Sequence, residues 1–178
     1  MTIRIETERL LLRPFAPADV ENHVEMMADP LVAKTLTADG NLRSRGEEWR
    51  LAAALIGHWA IRGYGFFSVI EKSTGEWVGR VGPWRPEGWP GVECGWSMRS
   101  AAWGKGYAPE AAIAAIGWTF EADPSLQRII SVIDPKNQNS QNVARKVGET
   151  KSGEVFDYQN LKLDIWSAER GAWLARFR

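Results

Sequence analysis

Apolar residues recur at strand and helix spacings along the first third of the chain. Residues 9–13 predict a strand, and Pro17 begins a helix. Residues 31–42 show no regular period and are predicted to be irregular. A longer amphipathic helix is predicted for residues 45–62. The predicted inward faces of the two helices are Val20, Val24 and Met27 in the first, and Trp49, Ala52, Ala53, Ile56, Trp59 and Ala60 in the second.

The rest of the chain alternates between strands and helices. An alanine-rich segment, residues 109–121, predicts a helix with Ile113, Ile116 and Phe120 on its inner face. Asn137 or Asn139 begins another helix, which Gly148 ends. The predicted strands are 66–71, 76–81, 91–99, 128–133, 151–156 and 161–167.

This order predicts one α+β domain that spans residues 1–178, since neither a linker nor a repeat interrupts it. Its central mixed sheet is mostly antiparallel and is flanked by helices. One parallel crossover is expected between the two strands on either side of the alanine-rich helix.

Composition narrows the possible partners. Lys plus Arg equals Asp plus Glu, 22 each, so the formal net charge is zero, which argues against nucleic acid and against a membrane surface as partners. The single cysteine, Cys94, excludes an intrachain disulfide, and with only His23 and His58 no metal site is expected. There is no signal-like or membrane-spanning apolar run, so a cytoplasmic location is the default expectation.

A glycine turn between a strand and a helix predicts an anion site. It reads Trp103-Gly104-Lys105-Gly106-Tyr107-Ala108-Pro109-Glu110. Glycines permit positive φ and leave room for a ligand beside the backbone. The N–H groups of such a turn, together with the positive end of the following helix, favour a pyrophosphate. A Walker A loop, G-x-x-x-x-G-K-[ST], is absent, and the dinucleotide pattern G-x-G-x-x-G fails at Pro109.

Several segments, taken in order, resemble the GNAT superfamily of N-acetyltransferases. They are Cys94-Gly95-Trp96-Ser97-Met98, the turn at residues 103–108, and Asn137-Gln138-Asn139-Ser140 with Lys146 and Gly148. The opening Thr7-Glu8-Arg9-Leu10-Leu11-Leu12-Arg13-Pro14 is similar to the RimJ/RimL-like branch, whose members include ribosomal-protein N-terminal acetyltransferases. The resemblance covers nearly the whole chain and implies a GNAT-like three-layer fold.

The resemblance also implies that acetyl-CoA, or coenzyme A, binds as co-substrate. Backbone amides of residues 103–108 would hold the pyrophosphate, and the pantetheine arm would run along the strand that ends at Met98. A bulge that splays this strand from the next is expected at Gly95. The implied cofactor-binding residues are Trp96, Ser97, Met98, Trp103, Gly104, Lys105, Gly106, Tyr107, Ala108, Asn137 and Ser140.

Two residues are candidates for the chemistry of acyl transfer. Glu93, on the cofactor strand, is the candidate general base, and a solvated strand carboxylate is the alternative interpretation. Ser140 is the candidate for contacting the sulfur, and an ordinary helix-start serine is the alternative. Many family members carry a tyrosine seven residues after the asparagine, but this chain has Ala144 there, which removes the usual general acid.

The sequence therefore predicts an N-acetyltransferase that moves an acetyl group directly from acetyl-CoA to a primary amine. The acceptor is a small molecule or a peptide N-terminus, and the first is favoured. The alternative is a non-catalytic acyl-CoA-binding or regulatory domain. The tryptophan-rich loop of residues 84–89 predicts either a wall of the acceptor pocket or a contact in a homodimer.

Overall fold

The computed structural model describes residues 3–37 and 40–178 of the chain, and within them eight strands form one sheet with six α-helices around it. The strands are β1 (Ile5–Glu6), β2 (Leu10–Pro14), β3 (Phe67–Glu71), β4 (Trp77–Trp84), β5 (Glu93–Met98), β6 (Arg128–Ile133), β7 (Thr150–Tyr158) and β8 (Leu161–Glu169). The helices are α1 (Val20–Met27), α2 (Pro30–Leu36), α3 (Arg45–Arg62), α4 (Tyr107–Ala122), α5 (Gln138–Lys146) and α6 (Arg170–Phe177).

The strands follow the order β1-β2-β3-β4-β5-β6-β8-β7 across the sheet. Every neighbouring pair is antiparallel except β5 and β6, which are parallel and connected through α4. The predicted mixed sheet with a single parallel crossover is confirmed. The two parallel strands pair at a single position, Glu93 opposite Ile130, and they diverge beyond it.

Two apolar clusters lie on opposite faces of the sheet, because successive strand residues point to opposite sides. On one face α4 packs Ala111, Ala115 and Ile116 against strand residues such as Phe67 and Leu10. On the other face α1, α2 and α3 pack a second cluster: Phe15, Met26, Met27, Val32, Ala52, Leu55, Phe66 and Trp77. The sheet is therefore the middle of three layers, as the family resemblance implies.

Three elements of the structure are not in the sequence prediction. Residues 31–42 were predicted to be irregular, whereas residues 30–36 form α2, with Pro30 in its first turn and the Asp29 carboxylate accepting from Leu31 N–H at 2.9 Å. Residues 38 and 39 lie outside the described residues. The short strand β1 and the terminal helix α6 are the other two, and α6 closes the core with the buried Trp173.

The face of α3 predicted to point inward is wrong, because the helix is rotated about its axis relative to the prediction. The helix bounds are as predicted, and Ser44 with Glu47 forms a capping box at its start. However, Trp49 is 56% exposed, and the buried positions include the polar Glu48 and His58. Glu48 accepts from His23 at 3.1 Å, and His58 accepts from Arg85 N–H at 3.1 Å. Polar residues thus occupy inward positions that an apolar period does not reveal.

The bulge expected at Gly95 is also wrong. The β4–β5 register is uninterrupted from Gly79 opposite Met98 to Trp84 opposite Glu93. Glycine is required at position 95 for a different reason, because a Cβ there would meet Phe66 Cζ at 2.7 Å. The strands β5 and β6 separate without a bulge in the β4–β5 ladder.

Candidate active site

The glycine turn forms an open cradle at the start of α4. Gly104 and Gly106 adopt φ of +76° and +80°, in the left-handed region. A Cβ at Gly104 would meet nothing within 4 Å, so the space beside the backbone is open. Within the described part of the chain, no acceptor is recorded for the backbone N–H groups of residues 104–108. A diphosphate supplies the acceptors that such a group of donors needs.

An ion pair from the opening segment holds this cradle in place. The Glu110 carboxylate, in the first turn of α4, accepts from Thr7 Oγ1 at 2.6 Å and from Arg9 N–H at 2.9 Å. It also pairs with the Arg9 guanidinium at 2.6 Å, and Arg9 Nη1 donates to the Lys105 carbonyl at 2.8 Å. The opening residues that carry the resemblance therefore contact the glycine turn directly.

A cavity of about 340 Å³ extends from the cradle along β5 to α5. Ten of the eleven predicted cofactor-binding residues line it, and the eleventh, Lys105, contributes only its place in the turn, with its Nζ 5.7 Å from the Tyr107 ring. The predicted residues that line the cavity are Trp96, Ser97, Met98, Trp103, Gly104, Gly106, Tyr107, Ala108, Asn137 and Ser140. The sequence prediction omits Val32, Thr35 and Leu36 of α2, and Asn139, Asn142, Val143 and Lys146 of α5.

At the start of α5, Ser140 faces the cavity. Asn137 caps the helix by accepting from Ser140 N–H at 3.0 Å, which settles the choice between Asn137 and Asn139. Trp96 Nε1 donates to Ser140 Oγ at 3.4 Å. That bond uses a lone pair of the oxygen and leaves the Ser140 hydrogen available as a donor.

A second cavity, of about 410 Å³, meets the first at residues shared by both: Thr35, Leu36, Trp96, Ser97, Asn137 and Ser140. This second cavity, unlike the first, is lined by Glu93, Arg80 and the indole of Trp84. The indole of Trp89 lines it too and also borders a neighbouring groove. The tryptophan loop thus walls the second cavity, and its use as a wall of the acceptor pocket stays a prediction.

Glu93 occupies the gap that opens between β5 and β6. Its carboxylate accepts from Trp89 Nε1 at 2.6 Å and from Val132 N–H at 3.4 Å. Burial raises the pKa of Glu93 to about 7, and the two hydrogen bonds and the charge of Arg80 oppose that rise. A carboxylate with this pKa is partly ionised at neutral pH, and Glu93 lines the second cavity, beside Trp96 and Ser97, which border both cavities.

A second buried acid supports the same gap from behind. Ser131 Oγ lies 2.8 Å from the Cys94 carbonyl and 2.9 Å from Glu149 Oε1. A hydroxyl has one hydrogen, so both bonds form together only when Glu149 is protonated and donates. Burial raises the pKa of Glu149 to about 8, which agrees with that protonation. Side chains therefore replace the ladder bonds that β5 and β6 lose where they diverge.

Glu149 makes the stability of the fold depend on pH. Its folded pKa exceeds the ordinary carboxyl value, so the folded state keeps a proton that the unfolded state loses, and the free energy of unfolding falls as pH rises towards 8. We expect Glu149 to contribute a loss of about 2 kcal/mol between pH 6.5 and 8.5, from about 1.4 kcal/mol per pKa unit. Glu93, with its pKa of about 7, adds a smaller loss of the same sign. Below 6.5 the lowered pKa of His23 acts with the opposite sign.

Urea unfolding of wild type and Glu149→Gln at several pH values tests this expectation. The glutamine amide donates to Ser131 at every pH, so the variant should lose most of the slope between pH 6.5 and 8.5. Glu154→Gln is the matched control, because the exposed Glu154 is paired with Arg128 and has a lowered pKa. An unchanged slope in Glu149→Gln would contradict the assignment of the proton.

The residues that sequence reasoning missed are Arg80, Ser131, Glu149 and the cavity-lining part of α2. Arg80 did carry a signal, since it is a lone charge within the otherwise uncharged strand Trp77–Trp84. Ser131 of β6 meets the Cys94 carbonyl of β5 and the Glu149 carboxyl, which lies between α5 and β7, only in the folded sheet, so neither residue is visible from local sequence. Among the described residues, no group of three or more His, Cys, Asp or Glu is placed to hold a metal ion.

Comparison with known proteins identifies the class to which this fold and cradle belong. The family Acetyltransferase (GNAT) domain matches residues 9–150. The acetyltransferase from Agrobacterium tumefaciens str. C58 superposes with a TM-score of 0.82 at 28% identity, covering 94% of this chain and 95% of that one. The uncharacterized N-acetyltransferase p20 of Bacillus licheniformis is 28% identical over 158 residues, which are 88% of this chain and 87% of that protein.

Two further likenesses are narrower. The uncharacterized protein YkkB of Bacillus subtilis (strain 168) is 36% identical over 91 residues, which are 49% of this chain and span 52% of YkkB. The ribosomal L7/L12 alpha-N-protein acetyltransferase RimL, solved in complex with coenzyme A, has a TM-score of 0.73 at 16% identity, with 94% of this chain and 98% of RimL covered. A likeness at 16% sequence identity shows only a shared fold, here the fold of a RimL protein, as the predicted RimJ/RimL-like branch implies.

The chain belongs to the GNAT acetyltransferase family. Members of this family use acetyl-CoA as the acetyl donor and act on amine acceptors. The structure of the described residues fits that donor, because the open cradle and its unmatched N–H groups stand at one end of a cavity that runs along β5. No helix among the described residues has the length and apolarity needed to cross a membrane.

Proposed function

We propose that this protein transfers an acetyl group from acetyl-CoA to the primary amine of a small molecule. The observation that carries the proposal is the junction of the two cavities beside the gap between β5 and β6. The cradle stands at the far end of one cavity, and Glu93 stands in the other. A thioester in the first and an amine in the second meet at the residues that both cavities share.

The donor side is supported by the main chain and by α5. The N–H groups of residues 104–108 would hold the diphosphate, and the separated edge of β5 from Trp96 to Met98 would pair with the pantetheine amides. Acetyl-CoA supplies the activated acyl carbon of the reaction. Holding both substrates in one cleft supplies on the order of 7–11 kcal/mol of barrier reduction in favourable cases.

The acceptor side needs a base, because the amine must lose a proton as the C–N bond forms. We assign that proton to the Glu93 carboxylate, whose environment brings its pKa to about 7. The C–S bond then breaks with its electron pair on sulfur. We assign to the Ser140 hydroxyl, which lines the first cavity, a hydrogen bond to that sulfur, in place of the general acid that is missing because residue 144 is alanine.

Acetyl-CoA turnover against a panel of amines tests the proposed function. We expect saturable coenzyme A binding in calorimetry, and thiol release that requires an added amine. Amines and N-terminal peptides of equal concentration are compared, and small amines should give the larger kcat/KM. Coenzyme A binding without release on any amine would favour the non-catalytic alternative.

Ser140→Ala should lower kcat by about tenfold and leave the coenzyme A Kd within about twofold. The expected loss reflects one hydrogen bond to a developing charge, about 1.4 kcal/mol or more. The helix cap survives, because Asn137 accepts from the backbone N–H of residue 140, which alanine keeps. Stopped-flow thiol release and calorimetry measure the two quantities, with the exposed Ser125→Ala as control. Equal kcat in variant and wild type would remove Ser140 from the chemistry.

A further inference from the structure

We propose that the amine substrate carries a carboxylate that binds Arg80, so that the acceptor is a free amino acid. The inference rests on the proposed acetyl transfer and names the substrate class of the second cavity. It depends on one buried cation that the described residues do not neutralise by contact.

Arg80 lies in the middle of β4, and the side chain enters the second cavity. Only 8% of the residue is exposed, and its Nε has no hydrogen-bond partner among residues 3–37 and 40–178. Its guanidinium stacks on the Phe66 ring at 4.3 Å. It makes no ion pair in the described part of the chain, although a buried charge is costly unless it is paired.

The charged residues around Arg80 do not supply the paired anion that its buried guanidinium lacks. The nearest acidic influences are Glu48 and Glu93, while Arg43 adds a second positive charge. Glu48 is already bonded to His23 at 3.1 Å and paired with Arg43 at 3.5 Å. Glu93 is bonded to Trp89 and is needed for the amine. A substrate carboxylate is the partner that Arg80 lacks, and a guanidinium binds it through two parallel hydrogen bonds.

The cavity therefore offers opposite charges at two points, Glu93 for an amine and Arg80 for an anion. An α-amino acid has both groups on one carbon, and a cavity of about 410 Å³ is large enough to hold one. Its remaining walls include five aromatic residues together with aliphatic ones such as Leu51 and Leu55, which favours an apolar or aromatic side chain. The aromatic residues that line it are Phe66, Trp84, Trp89, Trp96 and Tyr158.

The same charges disfavour the other classes of acceptor. A protein N-terminus has an amide in place of the carboxylate, so Arg80 would stay buried and unpaired when it binds. A polyamine or an aminoglycoside brings several cations to a cavity whose charged lining, Arg43, Arg80, Glu93 and Asp134, has no net negative charge to attract them.

Matched substrates test the inference on the wild-type enzyme. The set is L-phenylalanine, L-phenylalaninamide and phenethylamine, assayed for kcat/KM by thiol release with acetyl-CoA. We expect the acid to exceed the amide and the amine by at least about 100-fold, the value of a buried charge-assisted pair. The comparison with the amide is stringent, because the α-amine of L-phenylalaninamide has a lower pKa, near 8, and is intrinsically more often neutral.

Arg80→Gln should lower kcat/KM for the acid by about 100-fold and change the amide by less than about threefold. Arg85→Gln, which removes an exposed neighbour of the cavity, is the control. Melting temperature and coenzyme A affinity establish that the variant folds, and Arg80→Met provides a second, apolar replacement. If the two substrates lose rate equally and the pH profile moves, Arg80 acts only by tuning Glu93 and the inference fails.

The outcomes separate this inference from the proposed function. If the amide or phenethylamine is acetylated as well as the acid, carboxylate recognition is overturned while acetyl transfer stands. If coenzyme A binds and no amine or peptide releases thiol, acetyl transfer itself is overturned and the inference falls with it.

Discussion

Glu93→Gln is expected to lower kcat by about 10²–10⁴ at pH 7.5, the usual contribution of a general base. Glutamine keeps the size of the side chain, and its carbonyl oxygen can still accept from Trp89 Nε1, while the long 3.4 Å bond from Val132 N–H to the other carboxylate oxygen is lost. The gap between β5 and β6 should persist, and the main loss is the ability to take the proton of the amine. Coenzyme A affinity should stay within about twofold, since the cradle lies at the other end of the first cavity.

The pH profile gives this prediction a second readout. The base must be ionised, and burial brings the pKa of Glu93 to about 7, so kcat should rise with pH through about 7 and then level. In Glu93→Gln that rise should disappear, and the residual rate should follow the ionisation of the amine alone. Glu87→Gln, a fully exposed carboxylate, is the control. A residual rate near that of wild type with the same rise would show that another group takes the proton.

Sequence reasoning predicted the cradle because its determinants are local. Positive φ requires glycine at 104 and 106, and these glycines stand between an extended strand and an alanine-rich helix. The hairpin between β3 and β4 and the helix that Asn137 caps were predicted for the same reason. Each of these features is specified by a few consecutive residues, whose conformational preferences act without the rest of the fold.

The errors occur where tertiary contacts decide. Residues 30–36 have a weak apolar period, yet they form α2 because Val32 and Ala33 are buried in the fold. The bulge expected at Gly95 is absent from the regular β4–β5 ladder, and side chains of Ser131 and Glu93 satisfy groups that the diverging strands β5 and β6 leave. Arg80 of β4 and Glu149, which lies between α5 and β7, reach the site only in the folded sheet, so their roles do not follow from their neighbours in sequence.

Gly104→Val is expected to raise the coenzyme A Kd by at least about 100-fold. Valine disfavours the φ of +76° that residue 104 adopts in the turn. Its side chain would also occupy the open space beside the backbone in which the diphosphate is proposed to bind. Losing two charge-assisted bonds to the diphosphate accounts for about 3 kcal/mol, or two factors of ten at about 1.4 kcal/mol each. Gly106 is less suitable for the test, because a Cβ there would lie 3.4 Å from Nη2 of Arg9, which forms the ion pair with Glu110.

Gly75→Val is the matched control for backbone strain. Gly75 has φ of +75° in the turn between β3 and β4, and a Cβ there also meets nothing within 4 Å. Both variants should therefore lose similar stability, about 1–2 kcal/mol for a left-handed residue with a Cβ. Only the variant at 104 should lose coenzyme A binding in calorimetry. If both variants bound coenzyme A equally well, the turn ahead of α4 would not be the diphosphate site. The substitution at Gly104 would then have no effect beyond the backbone strain that both variants share.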